Sequence, residues 1–234
     1  MTVCIAARAV DGSIFCAADR MITVGDIEME SPVSKIFRLA SSVVIMPSDD
    51  DAALHAEIMN NLYYTISDLV DQLLPASYVS VREVVDLYIN EREKVRLKRA
   101  ERELLAPLGL TRENFPFQQS IMQPTLVDRV AEDMVRYKLP AMSALIVGID
   151  LLGSHIYEVH DGESGCLDTM GYAAIGAGTR HARAHFMMSG QSGHSSIAET
   201  LWATYLAKKR SEVAPGSAEQ PILPWWGLDP AKAF

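Results

Sequence analysis

The chain has 234 residues, 49% of them hydrophobic and 22% charged. This is ordinary globular composition with ample material for a buried core, and it excludes global disorder. The net charge of −9 excludes a nonspecific nucleic-acid binder, which needs a basic surface. No apolar run reaches the length of a membrane span, and no secretory leader is legible at the start. The three cysteines, Cys4, Cys16 and Cys166, lack metal-type spacing and read as reduced thiols of a cytoplasmic protein.

Residues 3–9 are apolar and β-compatible, Asp11-Gly12 is a two-residue hairpin signal, and 14–19 form the returning strand. Residues 23–30 read as a more polar extended segment. A second short hairpin is expected from 35–39 and 42–46. The acidic run 48–51 then supplies an N-cap for a helix over about 52–74. A second helix runs over about 80–105. Its charges of both signs at helical spacing predict a solvated, ion-paired surface, or else a docking face. APLGLTRENFPF breaks it, and Pro124 opens a third helix.

From Ala144 the period changes. ALIVGID, HIYEVHDG and CLDTMGYAAIG read as three strands, with turns at Leu152-Gly153 and Asp161-Gly162. GAGTRHARAHFMMSG is a glycine turn leading into a helix, and 195–212 form a further helix. The tail from Pro215 is proline-rich, and no strand is assigned there. Strand blocks alternating with helix blocks predict a layered α+β domain covering 1–234, with a helical insertion at about 79–124 and an atypical tail at 215–234.

With a two-residue loop at Asp11-Gly12, cross-strand partners sum to 23. Cys4 then faces Asp19, and Thr2 faces Met21. Side chains alternate along a strand, so Asp19 is expected on the face of Thr2 and Cys4, one diagonal step from Thr2. A one-residue change of register would put the acid on the other face.

Thr2 carries the chemistry. Removal of Met1 would leave a free α-amine beside a hydroxyl. An α-amine titrates at about 7.7–8.0, so it can act as a base near neutrality, and nucleophile and base then share one residue. A cation near the hydroxyl favours its ionised form and needs a carboxylate to hold it. Lys35 and Asp19 are the obvious pair.

The N-terminal threonine, the acid of AADR and the lysine of SPVSKIFRL, sixteen residues beyond that acid, resemble the catalytic β-subunits of proteasomes and the related HslV-type protease. These are N-terminal nucleophile hydrolases. GYAAIGAG resembles the family's glycine-rich strand end. The likeness covers about residues 2–55 and 140–212. It implies a four-layer αββα sandwich, with Thr2 as nucleophile, Lys35 tuning it, Asp19 orienting Lys35 and Glu212 as a second acid. It further implies a homo-oligomeric ring, peptide or protein substrates and an ATPase partner, with neither metal nor organic cofactor.

The sequence departs from the family in several places. IMPSDDDAA stands where a glycine-rich turn usually offers an oxyanion-stabilising N–H, leaving Ser48 or Asp49 to supply it near a carboxylate. A family serine falls at Ala177, with Thr179 as substitute, and another falls at Pro215. The tail, with Trp225 and Trp226, differs from the family's closing strands. His181 and His185 have i,i+4 spacing but no accompanying acid motif, and read as structural. The expected activity is a threonine-type peptide or amide hydrolase. The alternatives are a non-catalytic ring or scaffold protein, and a small-amide hydrolase acting outside a closed chamber.

Overall fold

The structure is a computed structural model that describes residues 3–24, 27–30, 34–49, 51–72 and 79–213. It is an α+β fold built on antiparallel sheets. One sheet has the order β10-β1-β2, from β1 (Val3–Arg8), β2 (Ile14–Ala18) and β10 (Tyr172–Gly176). The other has the order β5-β6-β7-β8-β9, from β5 (Phe37–Arg38), β6 (Val43–Asp49), β7 (Met142–Asp150), β8 (Gly153–His160) and β9 (Glu163–Cys166). Residues expected as a single extended segment instead pair as a ribbon of β3 (Met21–Val24) and β4 (Ile27–Glu30).

The apolar runs VCIAA and ALIVGI lack polar alternation because both faces of their strands are covered. Val3, Ile5 and Ala7 pack with Ala182 and Phe186 of α5 (Thr179–Ser189) and with Ala203 and Ala207 of α6 (Ile197–Ser211). Cys4 and Ala6 turn the other way, onto Val44, Met46, Leu145 and Val147. On the larger sheet Val43, Ile45, Ala144 and Ile146 face α1 (Ala52–Gln72) and α2 (Val81–Ala100), meeting Leu54, Ile58, Leu62, Val84, Val85 and Tyr88.

Helix α2 is not solvated all round. Val81, Val84, Val85, Tyr88 and Val95 bury one face in the core. Charges on the same helix are partnered as well. Glu91, almost buried, accepts from Lys94, and Arg92 reaches Asp161 at 3.2 Å. The separate part is shorter: a π-turn Glu101–Leu105, a 3-10 turn Ala106–Leu108, α3 (Phe115–Gln118) and α4 (Pro124–Arg136). It has a small core of Leu105, Leu110 and Val130.

The strand expected across CLDTMGYAAIG is instead the last residue of β9, a turn, and β10, with β9 and β10 in different sheets. β9 pairs with β8, and β10 pairs with β1. Between them the chain turns at Gly171 (φ 75°), fixed by the Met170 and Gly171 N–H groups donating to the Leu167 carbonyl. The tail from Pro215, with Trp225 and Trp226, lies outside the described residues.

Candidate active site

The candidate site begins at the β1–β2 hairpin, whose turn differs from the two-residue loop expected. The Ala9 N–H donates to Ser13 O at 2.9 Å, and the Gly12 N–H to Ala9 O at 3.0 Å. Val10, Asp11 and Gly12 therefore form a three-residue loop in which Gly12 takes φ 87°. Asp11 selects it: Oδ1 accepts the Ser13 N–H and Oδ2 accepts the Ser13 hydroxyl. The register shifts by one, so Cys4 pairs with Ala18 rather than Asp19. Asp19 lies across from Val3, its N–H donating to Val3 O at 3.1 Å. The expected placement of Asp19 on the face of Cys4 is thereby corrected. Thr2 itself lies outside the described residues.

The Asp19 side chain is fully buried, and its Oδ1 lies 2.7 Å from Lys35 Nζ, itself only 13% exposed. Its Oδ2 is buried without a hydrogen-bond partner among the described residues. Burying a carboxylate is costly unless it is paired and hydrogen-bonded, so the Lys35 contact is what makes this placement tenable. Between Asp19 and Lys35 in sequence lie β3 and β4.

Glu212 sits at the C-terminal end of α6. Its Oε1 accepts from the buried Lys208 Nζ at 3.1 Å, and its Oε2 lies 3.0 Å from Lys209 Nζ. Cations in a last helical turn also suit the helix dipole. Gly178 ties this corner to the chain start. A Cβ there would meet Val3 Cγ2 at 2.5 Å and Ser211 Cβ at 2.7 Å. The approach of β1, the β10–α5 turn and the end of α6 thus requires glycine.

Other candidate residues take structural roles. The Thr179 hydroxyl donates to Gly176 O at 2.6 Å, holding the turn before α5, while Ala177 is exposed. Ser48 and Asp49 are not in a loop but extend β6, paired with Ser143 and Met142. His181 is exposed and His185 is buried. Among the described residues no group of three or more His, Cys, Asp or Glu is placed to hold a metal ion. Burial pushes the Cys16 thiol up to about 12, which makes it a poor nucleophile.

No family model and no curated protein matches the chain. Its own residues must carry the functional reading.

One cluster escaped the sequence reading. His155 Nδ1 lies 2.6 Å from Asp168 Oδ2, and its Nε2 lies 3.2 Å from Asp150 Oδ1. The remaining oxygens are also engaged: Asp168 Oδ1 accepts the Ile156 N–H, and Asp150 Oδ2 accepts the Val81 N–H. The cluster fastens the start of α2 and the β9–β10 crossing to the β7–β8 hairpin. Spacings of five and thirteen residues carry no motif, so only the folded hairpin reveals it.

Proposed function

We propose that the chain is a threonine-type peptide or amide hydrolase of the proteasome-like class, with Thr2 as nucleophile after removal of Met1. The observation that carries this reading is the buried Asp19–Lys35 ion pair beside Val3, one residue from Thr2. The proposed architecture is the four-layer αββα sandwich. Its support is an apolar cluster between the two sheets and one under the helices on each outer side. In this reading the chain works in the cytoplasm as a homo-oligomeric ring, with protein substrates delivered by an ATPase.

The Thr2 hydroxyl attacks the scissile carbonyl, and the α-amine takes the hydroxyl proton through a water. Lys35 stabilises the ionised oxygen, and Asp19 holds Lys35 in place. The amine leaving group departs with a proton returned from the α-ammonium, giving an ester on Thr2. Water then hydrolyses that ester. Glu212, already engaged by two lysines, holds the corner of α6 close to the chain start.

The hairpin register favours a second reading, a non-catalytic ring or scaffold protein. Asp19 lies across from Val3 and not from Cys4, so it is not on the face where it was expected with Thr2. Intact mass, before and after an electrophile directed at N-terminal threonine, separates the two. The hydrolase reading expects loss of Met1 and a single adduct on Thr2. In Lys35→Ala, labelling should be at least about a hundredfold slower, the scale of a lost charge-stabilising group. A retained Met1, or a free Thr2 that takes no adduct, overturns the hydrolase and leaves the scaffold.

A further inference from the structure

Helix α6 has a second apolar face that no described element covers. Thr200, Ala203, Thr204, Ala207, Lys208 and Ser211 are its buried positions. On the other side Ile197, Leu201 and Tyr205, at successive i,i+4 positions, are 49%, 52% and 40% exposed, and Trp202 is 61% exposed. Trp202 and Tyr205 stack with ring centroids 5.4 Å apart and planes 14° from parallel. The solvent side of a surface helix is ordinarily charged. Here Ile197, Leu201, Trp202 and Tyr205 form an exposed apolar stripe with Glu199 at its edge, and contiguous exposed apolar surface of this kind marks a contact site.

The chain beyond α6 suggests the occupant. It leaves the helix through Val213, which is itself 78% exposed, and continues for residues 214–234. Pro221-Ile222-Leu223-Pro224 is a P-x-x-P sequence that runs directly into Trp225 and Trp226. Proline fixes φ, disfavours helix in the residue before it and stabilises the extended polyproline II form. Segments of that form dock on aromatic surfaces at low entropic cost. Glu219 is the sole charged residue between 214 and 228, so this segment brings little charge to the apolar side chains of the stripe.

The reach is ample. Tyr205 lies eight helical residues before Val213, about 12 Å back along the axis. Pro221 lies eight residues after Val213, and an extended chain of that length spans up to about 26 Å. We propose that residues 221–226 fold back within the same molecule and pack on the Trp202–Tyr205 stack, covering the outer face of α6. This assignment does not depend on the hydrolase reading.

The full-length chain tests it. Of the three tryptophans, W225F/W226F leaves Trp202 as the sole reporter while keeping aromatic rings in the tail. Acrylamide quenching of Trp202 is expected to be severalfold weaker in this chain than in the same chain carrying I222D/L223D. P221S/P224S is expected to shift it in the same direction as I222D/L223D. Far-UV circular dichroism shows that the fold is unchanged, and the protection should persist on dilution. Equal quenching with an intact tail and with both tail variants overturns the proposal. Protection that fades on dilution together with a fall in mass assigns the face to a second copy of the chain, which also overturns it.

Discussion

His55 shows how burial of one side chain becomes a property of the whole chain. It is 9% exposed beside Phe37, and burial pushes its imidazole down to about 4. In the unfolded chain the same group titrates at about 6.5. Between those values the unfolded state binds more protons, so stability is present above about 6.5 and is lost as pH falls through about 4. The full effect is on the order of 3 kcal/mol. Urea midpoints measured from pH 7 to pH 4 should fall less steeply in His55→Leu than in the parent chain. Identical slopes would show that another group governs acid sensitivity. At this scale the Asp19–Lys35 pair was legible, because acid and lysine flank segments that must return on themselves. The register was not. Asp11-Gly12 reads as a two-residue turn until the Asp11 carboxylate is seen bonding Ser13, and that local bond decides which residue Asp19 faces.

Helix α1 is specified by its first turn. Asp51 Oδ1 accepts the N–H groups of Ala53 and Leu54, both at 3.0 Å. The Leu54 N–H, aided by Arg99, holds the Asp51 carboxyl below its ordinary value. Asp51→Ala removes acceptors from two otherwise orphaned donors, and should cost about 1 kcal/mol in chemical denaturation. Asp51→Asn, which keeps the acceptor, should recover most of it. A neutral Asp51→Ala would mean that core packing alone fixes the start of the helix. The cap was legible because acids before an apolar period mark an N-terminus. The break of CLDTMGYAAIG between the end of β9 and β10 was not. Periodicity records that residues are buried, not which of two sheets buries them, and the turn at Gly171 depends on backbone bonds to Leu167. Charge density was equally ambiguous for α2, whose polar sequence hides a stripe of valines and Tyr88 facing the core.

Across the molecule, stability should be uneven. Strands β1, β6, β7 and β10 lie between apolar layers, whereas the segment from Glu101 to Arg136 rests on the small cluster of Leu105, Leu110 and Val130. Along α4 only Val130 is buried. Local opening free energy tracks buried apolar contact. Hydrogen exchange should therefore be fast across α3 and α4 and slowest in β1, β6 and β7. Equal protection of α4 and β7 would mean that the segment is held by contacts beyond its own small core.

The meeting of Val3, Gly178 and Ser211 also sets an order in time. β1 is the middle strand of its sheet, and its partner β10 lies about 170 positions later in the register Val3 to Gly176. During synthesis the first strand must wait, half-paired with β2, until most of the chain has been made. Only when Ser211 has left the ribosome can the corner around the chain start close. A nascent chain would therefore carry its candidate nucleophile without a finished site, and competence would arrive as one of the last events of folding.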